Sequence, residues 1–114
     1  MLQDWKAFEG KGVGAIGDLF KGHKGIMQVH EALTKAEEGK GALDKKTREL
    51  IALAVAATTR CDTCIAIHSA EAVKAGATRD ELLEALAVAV SLNAGPAMVY
   101  SSRILEAYDQ FAKK

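Results

Sequence analysis

The chain has 114 residues, 15 basic and 15 acidic side chains, and no net charge. That balance removes the electrostatic case for a nucleic-acid or anionic-membrane partner. Apolar residues make up 49% and aromatic residues 5%, with a single proline, which favours one all-helical domain over residues 1–114 rather than a β-rich fold.

Met1 to Lys6 is polar and carries no apolar leader segment, so a cytoplasmic location is expected. There, a closely spaced cysteine pair is redox-active or metal-binding rather than a structural staple. The longest uncharged run, Ala85 to Ser102, is interrupted by Ser91, Asn93, Gly95 and Pro96. It reads as two buried helices with a break, not as a membrane span.

The elements follow in order. Leu2, Trp5, Phe8, Val13, Ile16, Leu19 and Phe20 recur at helical spacing and predict a first helix over Met1 to Lys21. Gly10, Gly12, Gly14 and Gly17 weaken it, or let another helix approach closely. A phosphate-binding loop is rejected here, because no strand precedes these glycines and no Gly-Lys-Ser/Thr follows. A second helix is predicted from His23 to Gly39, with His23 capping a turn and His30 at the edge of the core. Neither histidine has a carboxylate or thiol at ligand spacing on its own helix face.

Asp44 is the expected N-cap of a third helix. Leu50 to Ala57 contains no polar residue, so this helix is expected to be buried on all sides. A fourth helix runs from about Asp62 to Lys74, and Gly76 suits the position just past its end. Thr78 and Glu81 form a capping box opening a fifth helix, which Asn93 to Pro96 ends. A sixth helix runs from Ala97 to about Ala112.

The chemistry concentrates between residues 48 and 68. This stretch holds both cysteines, Cys61 and Cys64, together with His68 and Glu49. At about 100° per residue, Cys61, Cys64 and His68 fall within roughly 60° of arc on the fourth helix. His68 is four residues after Cys64 and so is its surface neighbour. With a turn at Thr58 to Arg60, Glu49 and His68 lie at similar heights on two antiparallel helices, about ten residues before the turn and nine after it. Glu49 is then an orienting carboxylate for His68, a solvated first-turn acid, or the partner of an arginine in a salt bridge. Glu71, three residues beyond His68, competes for the same imidazole. A helix N-terminus and a nearby base both favour the thiolate. The residues alone leave open which cysteine attacks.

Gly41-Ala42-Leu43-Asp44-Lys45-Lys46-Thr47-Arg48-Glu49-Leu50-Ile51, then Cys61-x-x-Cys64-x-x-x-His68, then Ala75-Gly76-Ala77-Thr78-Arg79-Asp80-Glu81, resembles the carboxymuconolactone decarboxylase family. The cysteines make the chain similar to its alkylhydroperoxidase D-like (AhpD-like) branch. The resemblance implies an all-α bundle of about six helices that assembles as homotrimers or homohexamers, with the fifth and sixth helices as interface candidates. It implies a thiol-dependent peroxidase or disulfide oxidoreductase acting on a hydroperoxide or disulfide. Cys64 would attack, Cys61 would resolve, and His68 and Glu49 would relay protons. A lipoamide-type dithiol or a redox protein would restore the pair, with no bound cofactor. His30 would neighbour the site. Longer peroxidase members carry a second histidine just before the attacking cysteine, where this chain has Thr63.

Two other readings compete. Cys61, Cys64 and His68 are three zinc-type ligands, which Glu49 or His30 would have to complete. A decarboxylase or ring-opening enzyme of the same fold, or a non-catalytic assembly protein, would need no cysteine pair.

Overall fold

A computed structural model describes residues 1–113. They form six helices: α1 (Trp5–Gly22), α2 (Lys24–Glu38), α3 (Lys45–Thr59), α4 (Asp62–Lys74), α5 (Arg79–Leu92) and α6 (Ala94–Ala112). No strand occurs among the described residues.

The caps follow the local sequence. Asp44 accepts from the Thr47 N–H at 2.8 Å and starts α3. Thr78 and Glu81 bond reciprocally at the start of α5. Gly76, at φ +83°, lets the Ala77 N–H return to the Ala72 carbonyl at 3.0 Å and closes α4. His23 accepts from the Ile26 N–H at 3.2 Å, so it caps α2 as expected. Pro96 lies in the first turn of α6, which begins three residues earlier than predicted, at Ala94.

The core lies among α3, α4, α5 and α6. Leu53, Ala56, Ala57, Ile65, Ala66, Leu82, Leu86, Ile104 and Ala107 are buried there. Many of these are alanines, which lets helix axes approach closely. Tyr108 donates its hydroxyl to the Ala77 carbonyl at 2.6 Å, tying the α4–α5 turn to α6.

α1 packs on α4 and α6 as one unbroken helix despite its glycines. Only Gly12 among them meets a neighbour: a Cβ there would lie 3.1 Å from the Thr63 side chain. The expectation that the glycines admit another helix therefore holds at that one position. Trp5 is the anchor of α1, fully buried.

Two expectations need correction. α3 is not buried all round: Ile51 is 48% exposed and Val55 52%. They line an open apolar groove of about 470 Å³ shared with Val88 and Leu92 of α5. An uninterrupted apolar run marks a helix without a solvated face, and part of α3's apolar face is left uncovered by the chain. His30 is not at the core edge either. It is exposed on α2, which buries no residue, and it stacks on Phe20 with ring centroids 5.2 Å apart.

The N-terminal segment is tied to α6 by Gln110, which accepts from the Trp5 N–H at 2.7 Å and donates to the Gln3 carbonyl at 2.7 Å, and by one carboxylate. Glu106 accepts from the Leu2 N–H at 2.7 Å, the Gln3 N–H at 2.9 Å and the Trp5 indole at 3.1 Å. Burial opposes ionisation of Glu106, but these donors outweigh it and hold the group below its ordinary pKa. A depressed carboxylate contributes stability that is present above the unfolded-state pKa and is lost as pH falls through the folded value. Glu106→Ala should therefore cost about 1–2 kcal/mol at pH 7. The gap from wild type should close as pH falls below the ordinary glutamate range, measured by denaturant unfolding followed through Trp5 fluorescence.

Candidate active site

α3 ends where Arg60 turns left-handed, at φ 56° and ψ 46°. It is the only non-glycine residue with positive φ among those described. One residue in this conformation reverses the chain and delivers Cys61 to the N-cap of α4. The Cys61 sulfur accepts from the Cys64 N–H at 3.2 Å. A sulfur at this position receives one of the free N–H groups of the first turn and sits at the positive end of the helix. Cys61 and Cys64 form a disulfide, with Cα atoms 5.2 Å apart. Both residues are half-buried.

Nδ1 of His68 lies 2.7 Å from Oε2 of Glu49. Glu49 is 7% exposed, the only buried carboxylate among the described residues. A carboxyl group so placed requires a hydrogen-bond partner, and the His68 ring nitrogen provides one. The height match between α3 and α4 therefore brings these side chains into contact, and Glu49 is not a solvated first-turn acid. Glu71 does not compete for His68. It turns to Lys45 at 2.9 Å and Lys74 at 3.5 Å, and Lys45 above all holds it below its ordinary pKa.

The other side of Glu49 borders a polar cleft of about 380 Å³, lined also by Thr34, Glu37, Glu38, Lys45 and Arg48. The C-terminal half of α2 shapes that cleft, whereas His30 faces Phe20 and does not join the site.

Two features escaped the sequence reading. Arg103 of α6 pairs with Asp62, the residue between Cys61 and Thr63, at 3.0 Å. Its guanidinium lies over Trp5 and Tyr100, 5.1 and 5.5 Å from the ring centroids. Gly12 touches Thr63 in the same segment. Sequence separation hides both, since Arg103 and Asp62 are 41 residues apart. A lone tryptophan in a chain with 5% aromatic residues was the available signal.

No group of three or more His, Cys, Asp or Glu side chains among the described residues is arranged to hold a metal ion. The disulfide engages both sulfurs that the zinc reading requires. No described helix is long and apolar enough to cross a membrane.

The sequence model of the carboxymuconolactone decarboxylase family matches residues 23–107. An uncharacterized protein of Haemophilus influenzae is 51% identical over 108 residues, covering 95% of this chain and 96% of its own. An uncharacterized protein encoded in the cox locus of Paracoccus denitrificans is 37% identical over 100 residues, covering 88% and 90%. A crystal structure of an apo carboxymuconolactone decarboxylase family protein from Legionella pneumophila superposes with a TM-score of 0.88 at 38% identity. It covers 96% of this chain and 97% of that one.

A carboxylate facing Nδ1 favours the imidazole tautomer that carries its proton there. In its neutral form, His68 should carry its proton on Nδ1 and leave Nε2 free, read by long-range ¹H–¹⁵N correlation spectra. Glu49→Leu should yield a mixture of tautomers.

Proposed function

The chain belongs to the carboxymuconolactone decarboxylase family, and we propose that within it this protein is an AhpD-like thiol oxidoreductase that reduces hydroperoxides. The observation that carries this reading is the coincidence of the Cys61–Cys64 disulfide with a pair formed by buried Glu49 and half-buried His68, which lies one helical turn beyond Cys64.

The cycle starts from the dithiol. His68, oriented by Glu49, takes the proton of Cys64 through Nε2. The Cys64 thiolate attacks the terminal peroxide oxygen. The O–O bond breaks, the alkoxide leaves as the alcohol with the proton held by His68, and Cys64 becomes a sulfenic acid. Cys61 then attacks the Cys64 sulfur. The S–S bond forms and the oxygen departs as water. Two electrons have passed from the thiols to the peroxide.

A dithiol of the lipoamide type, or a redox protein, returns those two electrons. Its thiolate attacks Cys64 and expels Cys61. Cys61 is suited to leave because its sulfur receives the Cys64 N–H at the helix start, and a thiol of lower pKa leaves faster. A second attack by the reductant releases the reduced pair. No bound cofactor enters the scheme. We place the cycle in the cytoplasm, where thiol reductants are maintained.

We also propose that the chain works as a homo-oligomer, a trimer or hexamer. Val29 and Leu33 on α2, Val55 on α3, Val88 and Leu92 on α5, and Val99 on α6 are all more than half exposed. A second copy of the chain is the occupant able to cover these faces together.

With dihydrolipoamide as reductant, wild type should consume peroxide catalytically. Cys64→Ser should lose at least ~10³-fold, the scale of a missing nucleophile. Cys61→Ser should give one stoichiometric burst that leaves a trappable sulfenic acid. Glu49→Gln and His68→Ala should each slow turnover by ~10²-fold. A wild type that ignores peroxide yet cycles between dithiol and disulfide would reassign it as a disulfide oxidoreductase. No redox cycling at all would end the reading. Light scattering should give a mass above one chain, and Val88→Glu should lower it.

A further inference from the structure

We propose that Arg103 is a positioning residue that sets the redox poise of the Cys61–Cys64 pair, acting through Asp62. This rests on the thiol-oxidoreductase reading above.

Asp62 directly follows Cys61 and is the first residue of α4. Its negative charge suits a helix N-terminus but opposes a thiolate formed at the same place. Arg103 answers that charge at 3.0 Å, with its side chain 22% exposed. The guanidinium is held in place from two sides. Trp5 and Tyr100 both present rings to it. Trp5 is itself fully buried, and its indole donates to Glu106 at 3.1 Å. α1 and α6 thus place one fixed positive charge against the segment that carries both cysteines.

The geometry of the pair argues for a charge-setting role. Arginine and carboxylate commonly pair through two parallel bonds. Here one bond forms, while Arg103 Nε and Asp62 Oδ1 are buried and lack partners within the protein. The guanidinium lies over both rings, and the carboxylate meets it through a single bond. A structural clamp would use both contacts.

Reduction takes up two electrons from a dithiol and two protons, or one proton where a sulfur remains as thiolate. Positive charge near the sulfurs stabilises that thiolate and so favours the reduced pair. Removing it favours the disulfide.

The test is the dithiol–disulfide equilibrium of the purified full chain against dihydrolipoamide at a single pH, with alkylation of free thiols as the readout. Arg103→Gln should shift the equilibrium three- to tenfold toward the disulfide, a fall of about 15–30 mV for a two-electron couple. Asp62→Asn should shift it the opposite way by a similar factor. The double variant should return to within about twofold of wild type. Arg103→Lys, which keeps the charge and loses the planar fork, should stay near wild type. Asp62→Asn is the milder substitution and carries a sign of its own, so it decides the matter if Arg103→Gln does not fold. Single variants that shift in the same direction, or that leave the equilibrium within twofold, would overturn the proposal and make the cluster purely structural. Absence of any dithiol–disulfide cycle in wild type would instead overturn the redox reading, and this inference with it.

Discussion

The hydrogen bond between His68 and Glu49, 2.7 Å long, constrains everything around it. A carboxylate 7% exposed must have a partner, and the partner lies on a different helix. α3 and α4 must therefore run antiparallel at one height and at close range. Small buried residues make the range possible: Ala56 and Ala57 on α3, Ala66 and Ala72 on α4. The turn makes the height possible. Arg60 adopts a left-handed conformation that costs an L-residue roughly 1–2 kcal/mol. A longer connection would avoid that cost and would lose the register between Glu49 and His68. The strain sits one residue before Cys61, where cap, sulfur and turn are determined together.

The same bond connects fold to chemistry. A solvated glutamate near a helix start would leave the imidazole free to rotate and to hold either tautomer. Buried and paired, it faces Nδ1, and in the proposed cycle Nε2 is then the nitrogen that serves the cysteine. The helix start treats the two sulfurs differently. Cys61 has the cap position and its N–H contact, whereas Cys64 has the imidazole one turn further on. In the proposed cycle, division of labour within the pair follows from position on α4. It does not require different environments built from other parts of the chain.

What was legible in the sequence was local. Asp44, Thr78, Glu81 and Gly76 act within a few residues of themselves, and the structure has each in its expected cap. The phase of Cys61, Cys64 and His68 is helix arithmetic, and Glu49 needed only the assumption of a short turn. Distant partners were illegible. An apolar run marks Ile51 and Val55 as unsolvated in kind, yet cannot say that the chain leaves them in an open groove. His30 has apolar neighbours at helical spacing, but α2 packs on α1 alone among the described helices. Ile26, Val29 and Leu33 form an apolar stripe at helical spacing, yet periodicity reports amphipathicity, not what covers the apolar side, and all three are exposed. Arg103, Trp5 and Asp62 come from three helices, and no local rule joins them.

Thr63 shows how one such distant contact bears on the chemistry. Longer relatives, by the resemblance above, place a second histidine at this position. Here α1 approaches so closely that even a methyl group on Gly12 would lie 3.1 Å from the threonine side chain. An imidazole at residue 63 would compete with α1 for that space. α1 is in turn anchored to α6 through Trp5, Glu106 and Gln110. Small residues at 12 and 63 are therefore two halves of one packing solution, and a substitution at either is felt at the other. The consequence is that α1 lies against residue 63, where the resemblance puts a second histidine in longer members, and His68 is the imidazole that α4 carries.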